Sequence, residues 1–209
     1  MEMETILRRI TLSIVVLLLG LSPLAAPDAR AVEVPLEQAL AERTMGKADA
    51  PITIIEYASL TCPHCKDFDT ETLPKVKAAY IDTGKAKLVY RDFPLDGLAL
   101  RAAALARCAP AERYFPLIDI LFKQQDSWSR AKDPLDALAK IGRLAGMSQD
   151  LVDACLKSDK LMDGIVNIRM GGEQQFKVDS TPTFIINGTR VNGFMPFEEF
   201  DKVLKPLDK

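Results

Sequence analysis

Cys62-Pro63-His64-Cys65 is the segment of this chain whose residue types and spacing point most directly to chemistry. Two cysteines separated by two residues can close a disulfide across one helical turn. The segment follows a β-branched run, Ile52 to Ala58, and precedes a helical pattern that extends to about Tyr80. A helix that begins at Cys62 aims its unpaired N–H groups and its positive dipole end at that sulfur. This favours thiolate over thiol, and the thiolate is the species that attacks disulfides. Cys62 is therefore expected as the exposed nucleophile and Cys65 as the buried resolving partner. The dipole supplies about 0.3–1 kcal/mol, or ~2 kcal/mol when partly buried, whereas one pKa unit is worth about 1.4 kcal/mol. Further lowering must come from the N–H groups of His64 and Cys65 and from the imidazole itself. Each unit of thiolate stabilisation moves the couple about 30 mV toward oxidising, so a polar His64 between the cysteines suggests an oxidant.

Other chemistries for the same residues are weaker. The chain has four cysteines and one histidine, and that histidine is His64. A zinc site would need Cys108 and Cys155, which are isolated and far apart in sequence, so no metal is expected. Lys66 follows Cys65, so the histidine of a c-type haem attachment motif is missing. A Cys-His hydrolase would take its histidine from a separate loop. A purely structural Cys62–Cys65 bond would add little stability across so short a loop.

The elements that must position the motif are partly visible. Pro51 opens the Ile52–Ala58 run, which is apolar on both faces and reads as a buried central strand. Glu56 alone breaks it. It is either an edge residue facing solvent or, better, a buried carboxylate beneath the motif with a raised pKa and a proton-transfer role, Lys87 being the suggested charge partner. Leu73, Val76 and Tyr80 share a helical face, Pro74 should kink or restart that helix, and Gly84 marks its end. Ala86 to Phe93 reads as a second strand, completing a parallel β-α-β unit. From Leu95 to about Lys177 the pattern is helical, with four or five helices. Asp133-Pro134 and Ser148 read as helix starts. Thr183 to Ile186, an Asn187-Gly188 turn and Arg190 to Asn192 form a hairpin, and Pro196 with Glu198 and Glu199 starts a last helix. Asn187-Gly188-Thr189 also matches a glycosylation sequon, but reads as a turn. Val32 to Ala50 is a polar lead-in.

The first residues carry an address. Arg8 and Arg9 precede an apolar run, Ile10 to Leu21, and Ala29-Arg30-Ala31 offers small residues for cleavage. Residues 1–31 are expected to be a secretory signal peptide. An uncleaved anchor is the rival, but Pro23 and Pro27 suit a spanning helix poorly. Export places the protein where disulfides persist, the periplasm. The 48% apolar residues allow a real core in one enlarged domain, and 27 basic against 29 acidic residues argue against nucleic-acid binding.

Strand, Cys62-Pro63-His64-Cys65, helix, with Glu56 six residues before Cys62, a helical insertion, and Thr181-Pro182 opening a hairpin together resemble the DsbA-like thiol:disulfide oxidoreductases. The likeness runs from about Met45 to Leu207. It implies an α/β fold class: a thioredoxin fold interrupted by an inserted all-helical domain. The segments are then 32–94, a first thioredoxin-fold part with Cys62, Pro63, His64, Cys65 and Glu56 as catalytic residues; 95–177, the insertion; and 178–209, the second part. The resemblance implies a cis Pro182 against the active-site disulfide, with Thr181 and Pro182 holding substrate backbone. Threonine before the proline departs from the valine of the best-known oxidases and also occurs in isomerase-type relatives. Some relatives with compact insertions carry a second disulfide, which points to a Cys108–Cys155 bond. The implied activity is disulfide donation to newly exported proteins, with a quinone-linked, DsbB-like membrane partner as reoxidase, no cofactor and a monomeric state. Isomerase or reductase activity, or a chaperone-like binding module, are the alternatives.

Overall fold

The computed structural model describes residues 34–208, and the expected signal peptide, with its cleavage site and the rival anchor, lies outside them. The central element is β2 (Ile52–Ala58), paired in parallel with β3 (Ala86–Asp92) and antiparallel with β4 (Thr183–Ile186). β4 continues through a hairpin into β5 (Thr189–Asn192), with Asn187 and Gly188 both at positive φ in the turn. A run of β-branched residues suits a strand covered on both faces, and that is its situation here. Ile52, Ile54, Phe184 and Ile186 pack with Phe68, Leu73, Val76, Phe200 and Leu204, while Tyr57, Phe93, Val178 and Ile185 form the opposite core.

The polar lead-in does more than expected. It contains helix α1 (Leu36–Leu40) and a short strand β1 (Arg43–Met45), antiparallel to β3 at the sheet edge. Arg43-Thr44-Met45 has no apolar alternation to announce a strand. Its place is set by pairing with β3 and by Arg43, which is buried and donates from Nη2 to the Arg107 carbonyl at 3.0 Å.

After β2 the chain turns into α2 (Pro63–Asp67). It continues as a π-helical turn (Phe68–Thr72), then α3 (Leu73–Val76) and a second π-helical turn (Lys77–Ile81). Proline lacks the N–H that would bond the carbonyl four residues back and crowds it, so Pro74 accompanies the widened winding that precedes it. Gly84, at φ +79°, ends the segment by donating to the Ile81 carbonyl.

Between β3 and β4 lie six helices rather than four or five: α4 (Gly97–Arg107), α5 (Ala111–Lys123), α6 (Gln125–Ser129), α7 (Pro134–Leu144), α8 (Gln149–Lys157) and α9 (Asp159–Phe176). The extra breaks fall at Gln124 and Ser158, where the backbone leaves helical geometry. Asp133, Ser148 and Ser158 cap their helices through side-chain oxygens, as their residue types favour. Leu138 and Ile141 join a large apolar cluster with Leu105, Val152 and Trp128, whereas Leu135 is exposed. α9 crosses the sheet at Gly172, where a Cβ would collide with the Tyr57 ring. α10 (Phe197–Leu204) closes the fold over Phe68 and Phe184.

Candidate active site at the strand-to-helix junction

Cys62 occupies the N-cap of α2 with extended backbone, and Pro63 stands in the first turn, where its fixed φ suits the helix and its missing N–H costs nothing. The first N–H groups free to face the sulfur therefore belong to His64 and Cys65. Thr181 approaches from the far end of the chain. The Thr181–Pro182 peptide bond is cis, and the Thr181 carbonyl lies 3.4 Å from Cys62 Sγ. The buried Thr181 hydroxyl, which has no other partner, is placed to donate to the thiolate. This segment covers the sulfur: Cys62 is only 6% exposed, not an open nucleophile, while Cys65 is fully buried. The two thiols are free.

Their electrostatics diverge. Donation from the Cys65 thiol is the largest influence on Cys62. Against the cost of burial, and with Thr181 and the backbone N–H groups of Cys65 and His64, it lowers Cys62 from 9.0 to about 5. Cys65 moves the other way, pushed well up by burial and then by its neighbour Cys62. The imidazole of His64 sits on the outer side, its ring 70% exposed and Nδ1 3.5 Å from Asp67. Its backbone, rather than its ring, makes the recorded contribution to Cys62.

Glu56 is 2% exposed, and its Oε1 has no hydrogen-bond partner. Burial, then the charges of Asp69 and Cys62, raise its pKa well above the ordinary carboxylate range. Lys87 is not its partner. Lys87 pairs in register with Thr53, whereas Glu56 pairs with Tyr90. An offset of three residues places the two on opposite faces of the sheet, and Lys87 Nζ instead donates to the Ala48 carbonyl at 2.6 Å.

Three contacts around the motif have no local sequence signal. Gln125 of α6 donates from Nε2 to the carbonyls of Leu60 and Cys62, at 2.9 and 3.0 Å. Asp96 caps α4 through Ala99 N and accepts from the Thr61 hydroxyl at 2.6 Å. Lys66 pairs with Asp126 at 2.8 Å. The helices between β3 and β4 thus hold the loop that carries Cys62. Within them Cys108, at the C-cap of α4, and Cys155 in α8 form a disulfide with Cα atoms 6.3 Å apart. That bond leaves a zinc site at Cys62 and Cys65 without its remaining cysteine ligands.

Comparison with known proteins agrees with this geometry. The family model described as "Thioredoxin" matches residues 38–206. A Rickettsia bellii protein named as a protein-disulfide oxidoreductase is 32% identical over 169 residues, covering 80% of this chain and 65% of that protein. The chain therefore spans just under two thirds of that relative's length. Disulfide bond formation protein D of Bacillus subtilis is 25% identical, covering 77% of this chain and 74% of that protein. Among solved structures, Wolbachia pipientis alpha-DsbA1 is 35% identical, with a TM-score of 0.74 over 79% of this chain and 90% of that chain. With its central mixed sheet, its helices between β3 and β4 and its cysteine pair at the strand-to-helix junction, the chain belongs to the thioredoxin family and, within it, to the DsbA-like thiol:disulfide oxidoreductases.

Proposed function

We propose that this chain is an exported disulfide oxidase whose redox centre is Cys62-Pro63-His64-Cys65. The observation that carries the reading is the split between the two thiols, Cys62 lowered to about 5 and Cys65 raised well above its ordinary value. At pH 7 a thiol of pKa 9.0 is almost wholly protonated, whereas one at about 5 is almost wholly ionised. The reduced form gains about a hundredfold, or ~60 mV toward oxidising.

A substrate thiolate attacks Cys62 Sγ of the Cys62–Cys65 disulfide. The S–S bond breaks, a mixed disulfide forms, and Cys65 leaves with the electron pair and takes up a proton. A second substrate thiolate then attacks the substrate sulfur of the mixed disulfide and expels Cys62 as thiolate. The substrate dithiol is oxidised by two electrons and the enzyme pair is reduced by two. Pro63 sets the helix start, His64 contributes its N–H and a polar rim, and Thr181 with Pro182 holds substrate backbone beside the sulfur. Glu56 serves as the proton-transfer group beneath the pair.

The wider assignments rest on pattern. Residues 1–31 act as the export signal, supported by Arg8, Arg9, the apolar run and Ala29-Arg30-Ala31. Segments 32–94 and 178–209 make the thioredoxin-fold part and 95–177 the insertion, supported by the position of α4–α9 between β3 and β4. The protein works in the periplasm as a monomer on cysteine-containing exported proteins, and a DsbB-like quinone-linked membrane protein reoxidises it. The named functions of the Rickettsia and Bacillus relatives accord with this reading.

The test is oxidation of reduced, unfolded ribonuclease by the oxidised protein. Wild type should form disulfides and Cys62→Ala should not. Activity that survives the substitution would end the redox reading. Isomerase or reductase action is the second reading, prompted by Thr181. A potential measured against glutathione separates the two, a value near that of thioredoxin favouring the reductant.

A further inference from the structure

The segment that carries Thr181 is neither helix nor strand. It runs from Lys177, the left-handed cap of α9 at φ 55°, to Pro182, and β4 begins at Thr183. Thr181 nevertheless meets Cys62 Sγ at 3.4 Å through its carbonyl, and its hydroxyl is placed to donate to the thiolate. Such groups must be held within about 0.5 Å of their working geometry, which a stretch of loop does not supply by itself.

The restraint comes from β5, the edge strand beside β4. Arg190 pairs there with Ile185, and its guanidinium reaches back to the segment. Nη1 donates to the Lys177 carbonyl, Nη2 to Asp179 Oδ1 at 2.6 Å and Nε to Asn192 Oδ1 at 2.7 Å. Asn192 lies two residues on and so shares that face of the strand. Thr183 Oγ1 donates to the Ser180 carbonyl at 2.8 Å and lies 3.4 Å from the same Asn192 oxygen. The Gly193 N–H donates to the Pro182 carbonyl at 2.8 Å. Lys177 and Asp179 are thus tied by Arg190, Ser180 by Thr183 and Pro182 by Gly193, and Thr181 is left facing Cys62.

The ion pair with Asp179 does not by itself account for an arginine at this place. Asp179 is 73% exposed, and a pair so open to water contributes little. What the guanidinium adds is a planar set of N–H groups that holds acceptors on three residues in one geometry, which a lysine ammonium cannot do. Nor does its charge act on the sulfur directly. The groups that set the charge of Cys62 are Cys65, Thr181 and His64, and Arg190 is not among them.

We infer that Arg190 is a positioning residue for Cys62, clamping residues 177–182 from β5 so that Thr181 stays against the sulfur. The inference rests on the redox role proposed above for Cys62. With the clamp released, the segment moves between its two ends, the cap of α9 and the start of β4. The thiolate then loses the Thr181 donor for part of the time, although no group that touches the sulfur has been changed.

The test is titration of thiolate absorbance in the reduced protein, together with the equilibrium constant for oxidation of glutathione. It is run on wild type, Arg190→Gln, Arg190→Lys, Thr181→Val and the double variant Thr181→Val/Arg190→Gln. Wild-type Cys62 should titrate at about 5. Arg190→Gln should raise that midpoint by about half a unit to one unit, and lower the equilibrium constant about threefold to tenfold. Arg190→Lys, which keeps the charge but not the planar fork, should show most of the same shift. The double variant should titrate no higher than Thr181→Val alone, because Arg190 acts through Thr181. An unshifted midpoint in Arg190→Gln, with or without a lower unfolding temperature, would overturn the clamp. So would a wild-type midpoint in Arg190→Lys, which would make charge alone the cause, or shifts that add in the double variant. A wild-type Cys62 that titrates near its ordinary 9.0 would instead overturn the redox role itself. Arg190→Lys decides the case if Arg190→Gln folds poorly.

Discussion

The two cysteine pairs of this protein occupy opposite kinds of site. Cys62 and Cys65 stand at a helix start where N–H groups, a hydroxyl and a neighbouring thiol all favour a negative sulfur, and they are free. Cys108 and Cys155 join α4 to α8, with no hydrogen bond to either sulfur among the described residues, and they are bonded. Burial is nearly the same in both. What separates a reactive sulfur from an inert one is the set of donors aimed at it, not exposure.

The comparison breaks most sharply if Cys62 proves dispensable. Cys62→Ala should lower the rate of ribonuclease oxidation by more than a thousandfold, whereas Cys108→Ala/Cys155→Ala should retain most of it. Next in size is stability. The Cys108–Cys155 bond spans a sequence separation of 47, and removing it should cost about 4 kcal/mol in denaturant unfolding by the chain-entropy relation. No such cost is expected when Cys62 and Cys65 are both replaced by serine.

The third outcome concerns pH and only the reactive pair. Cys62 has a folded pKa of about 5 below an ordinary 9.0, so its contribution to the reduced form is complete above pH 9. It is worth ~3 kcal/mol at pH 7 and is lost as pH falls through 5. The oxidised form holds no thiolate there. The stability of reduced protein relative to oxidised should therefore decline by roughly that amount between pH 7 and pH 5. A flat difference would mean that the thiolate is not stabilised. The smallest effect is Thr181→Val, which removes one donor and should raise the Cys62 pKa by about one unit, ~1.4 kcal/mol. Titration of thiolate absorbance measures it.

How much of this was legible follows from where each constraint lies. The junction of β2 with Cys62-Pro63-His64-Cys65 is local, and strand, proline and helix pattern announce it within thirty residues. The pairing of Lys87 with Glu56 failed because sheet face depends on register, and the register of β3 against β2 is not written in either strand. β1 was missed because three residues that include a buried arginine carry no strand pattern. Gln125 carries no local signal of its role, since its burial comes from helices that pack only in the finished fold. Cys108 and Cys155 show no spacing that would pair them, and their bond was expected from the oxidising compartment and the likeness to relatives.

Thr181 contacts Cys62 across 119 positions of the chain, and β4, which brings it there, is the partner of β2. A chain made from its N-terminus presents all four cysteines before that contact exists. Until the segment around Thr181 arrives, Cys62 lacks the hydroxyl of Thr181 and the cover of its backbone. Selective reactivity is thus a property the molecule acquires only after the segment that carries Thr181 has been made. On the function proposed above, its ability to pair the cysteines of others is withheld until its own have had the chance to sort.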